Sequence, residues 1–182
     1  MKVDAHGWFS GVHRVASPNC DLRPAGTTID ALVIHNISLP PDQFGGPEIL
    51  DFFTNQLDIN AHPYFAQLKD VKVSSHFLVR RNGMIVQFVP CRKRAWHAGV
   101  SSWQGRSRCN DFSIGIELEG SDFVPFEAGQ YAALLRLTRR LQRAYPICHI
   151  MGHADIAPGR KTDPGPHFDW SRYRNALKTS LV

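Results

Sequence analysis

A loop-forming stretch near the C-terminal end, residues 151–170, restricts the possible folds of this chain more than any other segment. It reads MGHADIAPGRKTDPGPHFDW, and its glycines and prolines disfavour long helices and long strands. Such a loop can hold polar side chains in fixed directions, and it contains His153, Lys161, Asp163 and His167. Histidine and aspartate are zinc ligands, and a catalytic zinc usually takes three protein ligands. The stretch therefore indicates either a metal site or an ordinary surface loop.

Lys161 and Asp163 are separated by one position within this loop. In an extended segment, side chains at positions i and i+2 point to the same side. A cation and a carboxylate able to bind a metal would then face one site.

Apolar patterns upstream of the loop predict a sheet. Residues 31–34 and 147–151 are short apolar runs typical of strands, and residues 113–119 alternate between apolar and polar. Residues 75–80 and 84–89 flank the tripeptide Arg-Asn-Gly, and Asn-Gly between apolar runs is a strong hairpin signal. These segments predict a mixed sheet that contains one antiparallel hairpin.

Helical spacing appears in three further segments. Pro47 suits the first position of a helix, and residues 126–145 carry one apolar stripe that ends before Pro146. Asp169 is expected to cap a last helix with inward positions that extend to Leu181. The predicted fold is α/β (α+β mixed), a central mixed β-sheet with an antiparallel hairpin, flanked by helices.

Length and composition predict one soluble globular domain over residues 1–182. The chain has 43% hydrophobic and 20% charged residues, and its polar residues 1–30 are interpreted as an N-terminal arm. The four cysteines are scattered without a CxxC pair, and the N-terminus lacks the apolar run of a signal peptide. We therefore expect a cytoplasmic protein without a membrane segment.

The formal net charge of +5 favours anionic partners. Four arginines cluster at positions 136, 139, 140 and 143, but no basic run is interleaved with aromatic residues. This pattern excludes the common nucleic-acid-binding motifs. A small acidic substrate remains, with no nucleic-acid partner and no membrane partner, and we expect the chain to act as a monomer.

Two histidines and two glutamates lie near predicted strand ends. His35 and His153 each follow a predicted strand, and ligands commonly bind at strand ends of α/β sheets. Glu117 and Glu119 share one face of the strand over residues 113–119, opposite its apolar residues. Each residue also has a structural interpretation, as a strand-end histidine or a solvated carboxylate.

Several motifs, taken together, resemble one enzyme family. They are HNISLPP from His35, FGGP from Phe44, AHPYF from Ala61, RAWHAGVSS from Arg94, CNDFSIGIELEG from Cys109, Gly152-His153 and RKTDPGP from Arg160. The pattern is similar to the zinc-dependent N-acetylmuramoyl-L-alanine amidases, which include phage lysozyme-amidases and peptidoglycan recognition proteins. Within that family it resembles the cytoplasmic branch that acts on 1,6-anhydro-muramyl peptides.

The resemblance implies a role for each matching residue. His35, His153 and Asp163 would bind one zinc ion per chain, at the strand ends of the sheet. Glu117 matches the glutamate that activates water, although Glu119 competes for this role, and Lys161 matches the lysine that stabilises the oxyanion. The phage and recognition-protein branches often have cysteine where this chain has an aspartate.

Other polar residues are weaker candidates. Tyr64 and His97 are interpreted as residues of the substrate cleft, and Lys72 and Arg108 as partners for carboxylates of the stem peptide. The remaining candidate histidines are possible ligands by residue type, but the two within predicted strands, at positions 76 and 149, are expected to be structural. The histidines at positions 62 and 167 remain open.

The implied substrate is a small molecule, the anhydro-muropeptide released during wall recycling. The reaction is hydrolysis of the amide between the lactyl group of anhydro-N-acetylmuramic acid and L-alanine. One alternative is an amidase that acts on intact murein. Another is a binding module that holds muropeptides without cutting them, and a zinc assay separates it from an enzyme.

Overall fold

The computed structural model describes residues 1–179, so the predicted helix position Leu181 lies outside the described residues. Two short 3₁₀ helices, Pro63–Leu68 and Cys109–Asp111, lie between the longer elements. The strands and α-helices follow in chain order: β1 His13–Arg14, β2 Cys20–Leu22, β3 Ala31–Ile37, α1 Glu48–Phe53, β4 Phe77–Val79, β5 Ile85–Gln87, β6 Lys93–Ala95, β7 Ser102–Trp103, β8 Arg106–Ser107, β9 Ser113–Glu119, α2 Ala128–Ala144, β10 His149–Gly152, α3 His153–Ile156 and α4 Trp170–Lys178.

Six strands form the central sheet, in the order β1-β5-β4-β9-β3-β10. Strand β3 runs parallel to β9 and to β10, β4 runs parallel to β9, and β4 pairs with β5 as an antiparallel hairpin. The predicted mixed sheet with one hairpin is therefore confirmed.

The two faces of the sheet are covered differently. On one face, the apolar side chains of β3 and β9 pack with those of α2 and α4 in one large cluster. On the other face, one apolar cluster includes residues of β4, β5 and α1, and a second includes residues of β3, β10 and α3. All seven residues of β9 are buried, as expected for a strand covered on both sides.

The helix ends agree closely with the sequence signals. Helix α2 begins with a capping box of Glu127 and Gln130 and ends at Ala144, just before Pro146. Asp169 caps α4, because its carboxylate accepts a hydrogen bond from the backbone N–H of Arg172. None of the helices in residues 1–179 combines the length and the apolar character that crossing a bilayer requires.

Three details of the sequence prediction need correction. Strand β3 extends to Ile37, so His35 lies inside the strand rather than after its end, because β9 pairs with β3 along its whole length. Pro47 occupies the N-cap of α1, one position before the predicted first turn. Residues 91–112, for which the sequence predicted neither a strand nor a helix, contain three short strands.

The N-terminal segment is joined to the body by buried hydrogen bonds. The carbonyl of Gly7 accepts from the backbone N–H of Cys91 at 3.0 Å and from Nε2 of Gln87 at 2.9 Å. The backbone N–H of Phe9 donates to Oε1 of Gln87 at 2.8 Å, and the Phe9 ring is buried. The predicted arm thus contributes strands β1 and β2 and part of the core.

We predict that Gly7→Ala destabilises the fold more than Gly26→Ala. Both glycines have a positive φ, +96° and +74°, so both substitutions carry a backbone cost. A Cβ at Gly7 would lie 2.7 Å from the backbone nitrogen of Cys91, whereas a Cβ at Gly26 would meet open space. Urea denaturation should show an extra loss of about 1–3 kcal/mol in the free energy of unfolding for Gly7→Ala. Equal losses in the two variants would contradict this close approach.

Candidate metal centre

Strand register brings the first site residues together. His35 on β3 is paired with Glu117 on β9, and Ile34 is paired with Gly152 on β10. Residues paired across neighbouring strands project to the same face of a sheet. His35 therefore lies beside Glu117 on one side, and His153, which directly follows Gly152, approaches it from the other side.

The loop after α3 returns to the same strand end. The carbonyl of Asp163 accepts a hydrogen bond from the backbone N–H of Ala154 at 2.9 Å. This approach needs a glycine, because a Cβ at Gly152 would lie 2.7 Å from Cδ of Pro164. Ten residues after His153, the loop thus places the Asp163 carboxylate beside the two histidines.

Three ligand atoms form a triangle with equal sides. Nδ1 of His35 lies 3.0 Å from Nδ1 of His153, and each nitrogen lies 3.0 Å from Oδ2 of Asp163. Both histidines are almost completely buried, and among residues 1–179 these three form a group that could hold a metal ion. Sequence reasoning named the same three residues.

The donor set fits a metal cation. Nε2 of His153 lies 3.1 Å from the carbonyl oxygen of Ala98, and because a carbonyl only accepts, Nε2 carries the hydrogen. In the neutral ring, Nδ1 of His153 then presents a lone pair to the carboxylate oxygen of Asp163. Lone pairs so close to each other repel unless a proton or a cation lies among them. Two imidazole nitrogens and one carboxylate oxygen are ligands typical of zinc.

The charge states of the ligands suit metal binding. Burial lowers the pKa of His35 to about 4, against the opposing effect of the Asp163 carboxylate. Burial raises the pKa of Asp163, but the contacts of its carboxylate with the rings of His153 and His35 outweigh this and hold it well below its usual value. Near neutral pH, His35 is therefore neutral and Asp163 is ionised, which are the forms that bind metals.

The two strand carboxylates differ sharply in their surroundings. Glu119 is 1% exposed, and its oxygens accept from Arg80 Nη1 at 2.8 Å and from the backbone N–H groups of Gly45 and Arg81 at 2.7 and 2.9 Å. Glu117 is 7% exposed, and its Oε2 has no hydrogen-bond partner among the described residues. Burial, and then the charge of Asp163, raise the pKa of Glu117 well above its usual value. Neither carboxylate lies on a solvated strand face.

A cavity of about 390 Å³ opens above these groups. Its polar lining includes the three ligand residues, Glu117 and Lys161, so the two predicted catalytic side chains face one space. Its apolar wall was not identified from the sequence, because these positions are indistinguishable from core positions: Leu39, Phe52, Phe53, Leu68, Val71 and Val73.

The predicted substrate contacts divide into two pairs. Tyr64 and His97 line the cavity. Lys72 and Arg108 are exposed and, within the described part of the chain, do not belong to the lining. Nε of Arg108 lies 3.4 Å from the carboxylate of Asp111.

The other histidines lie outside the ligand group. His76 is completely buried, and its Nδ1 accepts from the backbone N–H of Gly115 at 3.0 Å, which agrees with a structural role. Nδ1 of His62 accepts from the backbone N–H of Tyr64, and His167 is exposed. His149, in β10, contacts the ring of Trp103.

Known proteins are similar to this chain in both sequence and structure. The protein named 1,6-anhydro-N-acetylmuramyl-L-alanine amidase AmpD of Escherichia coli K12 is 57% identical over 170 residues, covering 92% of this chain and 93% of its own. A crystal structure of a selenomethionine AmpD derivative has a TM-score of 0.94 at 55% identity, covering 97% of this chain and 99% of the other.

A more distant structure extends the comparison. The Escherichia coli amidase AmiD, solved with anhydro-N-acetylmuramic acid-L-Ala-D-γ-Glu-L-Lys, has a TM-score of 0.59 at 37% identity, covering 85% of this chain and 60% of its own. Residues 25–166 match the family described as N-acetylmuramoyl-L-alanine amidase. The chain belongs to that amidase family, in the branch of the 1,6-anhydro-N-acetylmuramyl-L-alanine amidases.

Proposed function

We propose that the chain uses one zinc ion, held by His35, His153 and Asp163, to hydrolyse the amide between anhydro-N-acetylmuramic acid and L-alanine in soluble muropeptides. The observation that carries this proposal is the triangle of ligand atoms beside the unpartnered carboxyl group of Glu117. The AmiD complex, with an anhydro-muramyl tripeptide as its substrate, supports the substrate class.

The ligand residues would hold the zinc on the floor of the cavity. When bound, zinc lowers the pKa of water and polarises a carbonyl group, which is the activation that amide hydrolysis needs. His35 and His153 are fixed in strand β3 and at the start of α3, so their nitrogens need little rearrangement. A rigid ligand set of this kind favours both metal affinity and a constant geometry.

Glu117 would move the proton. Glu117 lines the cavity, and no hydrogen bond to a described residue holds its Oε2, so its carboxylate is free to accept a proton from the attacking water. It would then return the proton to the nitrogen of the leaving L-alanine. Burial and the charge of Asp163 raise the pKa of Glu117, and the charge of Lys161 opposes this shift. A bound metal cation would oppose it further and favour the carboxylate form.

Lys161 would stabilise the negative charge that develops on the carbonyl oxygen. It lines the same cavity as Glu117 and lies two residues before Asp163, so the loop that supplies a ligand also supplies a cation. One well-placed donor to such an oxygen is worth about 3–4 kcal/mol of transition-state stabilisation.

The residues proposed to contact the substrate lie in two places, inside and outside the cavity. Tyr64 lines the cavity with a half-exposed ring that can lie against the sugar or the first peptide residue. We keep Lys72 and Arg108 as partners for carboxylates further along the stem peptide, because both are exposed cations outside the cavity lining.

We also propose that residues 1–182 form a single domain that works as a cytoplasmic monomer. The N-terminal segment shares the core and the sheet with the rest of the chain, which supports one domain. The four cysteines are unpaired, which suits a reducing compartment.

Metal analysis tests the ligand set. Wild-type protein should carry about one zinc per chain, and His153→Ala should lose most of it because one of three protein ligands is removed. His167→Ala is the matched control, since His167 is exposed and outside the ligand group. Full zinc occupancy in His153→Ala would rule out this assignment.

A pair of glutamate variants separates catalysis from stability. Glu117→Gln should keep its zinc and its fold while kcat falls by about 10²–10⁴, because the proton acceptor is lost. Glu119→Gln should keep most of the activity of the folded protein. Its free energy of unfolding should fall by about 3–5 kcal/mol, because the buried guanidinium of Arg80 loses its charged partner.

The opposite pattern would reassign the catalytic carboxylate. If Glu119→Gln loses more activity than Glu117→Gln at equal zinc content, Glu119 is the base. Zinc content and urea denaturation measured on the same preparations make the two cases distinguishable.

The Lys161→Ala variant tests oxyanion stabilisation. It should bind zinc normally and lose about 10²–10³ in kcat, with a smaller rise in KM, because Lys161 acts mainly on the transition state. Lys178→Ala, at the end of α4, is the control for loss of a lysine elsewhere. A change confined to KM would place Lys161 in substrate binding instead.

Product analysis tests the substrate class. Soluble anhydro-muropeptides should be cleaved much faster than intact sacculi, with the free stem peptide and the anhydro-sugar identified by mass spectrometry. The Glu117→Gln variant controls for contaminating amidases. Comparable cleavage of both substrates would favour an enzyme for polymeric murein, and binding without cleavage by zinc-loaded protein would favour a binding module.

A further inference from the structure

Four hydrogen-bonded groups form a series that leads from the candidate metal centre into the body of the protein. Nε2 of His35 lies 2.9 Å from Nδ1 of His97, and Nε2 of His97 lies 3.2 Å from the hydroxyl of Ser113. That hydroxyl donates to the backbone carbonyl of Cys109 at 2.6 Å. The catalytic roles proposed above do not use His97 or Ser113.

The Cys109 carbonyl, at the end of this series of groups, fixes the direction of every hydrogen bond in the series. The Cys109 carbonyl can only accept, so it takes the one hydrogen of the Ser113 hydroxyl. The hydroxyl oxygen must then accept from Nε2 of His97, which leaves Nδ1 of a neutral His97 without a hydrogen. That bare Nδ1 accepts from Nε2 of His35, so the hydrogen of His35 lies on Nε2 and the lone pair on Nδ1.

The lone pair therefore lies on the ring nitrogen that faces the ligand triangle. Nδ1 of His35 is the atom 3.0 Å from both His153 Nδ1 and Asp163 Oδ2. The other tautomer would place a hydrogen on this nitrogen and block a metal. This arrangement uses the neutral form of His97, whose ring lies between the rings of His35 and His76.

The same short segment also orients the second histidine ligand. The carbonyl of Ala98, the next residue, accepts from Nε2 of His153 at 3.1 Å. Oδ1 of Asn110 accepts from the backbone N–H groups of both His97 and Ala98, at 3.2 and 2.8 Å. His97 and Ala98, both held by Asn110, thus contact Nε2 of His35 and Nε2 of His153, respectively.

The His97 ring packs directly against the backbone of Gly115 in the central strand β9. A Cβ at Gly115 of β9 would lie 2.5 Å from Cγ of His97, so the ring occupies the space that any side chain there would need. The ring also packs edge-on against His35, with centroids 5.0 Å apart. This close fit leaves the ring little freedom to change its partners.

We propose that His97 and Ser113 are positioning residues of the metal centre, which hold His35 in the tautomer that offers Nδ1 to the metal. This inference rests on the proposed zinc site, and it replaces substrate contact as the main role of His97. Partners of this kind behind a metal ligand typically change metal affinity by about 10–100-fold.

Zinc affinity is the first test, measured by competition with a chelator on purified full-length protein. His97→Phe keeps a ring of similar width but removes the acceptor, so its zinc affinity should fall by about 10–100-fold. His97→Gln, with one acceptor and one donor on its amide, should restore part of that affinity. His13→Phe, on the exposed strand β1, is the matched control and should bind zinc like the wild type.

Nitrogen NMR of the metal-free protein supplies a second readout that a purely structural role would not change. In the wild type, the His35 ring should carry its hydrogen on Nε2, with Nδ1 bare. In His97→Phe, this hydrogen should redistribute towards Nδ1, because Asp163 Oδ2 is then the remaining acceptor beside the ring. Ser113→Ala should give a smaller shift, and it carries the test if His97→Phe does not fold.

The outcomes separate this inference from the proposed function. If the wild type binds zinc and His97→Phe binds it equally tightly, with only KM raised, His97 is a substrate contact and the positioning role is wrong. An unchanged His35 tautomer in both His97→Phe and Ser113→Ala would also overturn it. If the wild type itself binds no zinc through His35, the proposed function fails first.

Discussion

Parallel pairing of β3 with β9 on one side and β10 on the other is the constraint on which the site depends. It aligns His35 with Glu117 and ends β10 immediately before His153, so three site residues from distant parts of the sequence share one sheet face. A shift of β3 by one residue would turn His35 towards the α2 side of the sheet. Leu32 and Ile34 oppose this shift, because they would have to leave the large apolar cluster that they form with α2 and α4 and change places with the smaller side chains of Ala31 and Val33.

Sequence reasoning predicted the elements with strong local signals. The hairpin around Gly83, the alternation of β9 and the cap at Asp169 were confirmed, because each depends on nearby residues alone. The end of β3 was predicted too early, since His35 and the following residue interrupt the apolar run, and only pairing with β9 keeps them extended. Local composition contains no information about that partner.

The candidate site was predicted unevenly for the same reason. Its ligands and cavity carboxylate were named through motif resemblance, whereas the register that brings them together is a property of the folded sheet. The sequence could not separate Glu117 from Glu119 by pattern, since both occupy the same strand face. Their difference arises from Arg80, which lies one residue after β4 and pairs with Glu119 only. Asn110 and Ser113 also became meaningful only through contacts made in three dimensions.

The triangle of ligand atoms also has a consequence for the chain as a polymer. His35 lies 118 positions before His153 and 128 before Asp163. A metal held by all three would act as a cross-link that closes a loop of most of the protein, and closing so long a loop removes much of the entropy of the unfolded chain. Because unfolding would break the bonds to the metal, the ion would stabilise the folded state by linking the first third of the sequence to the last third, much as a disulfide does.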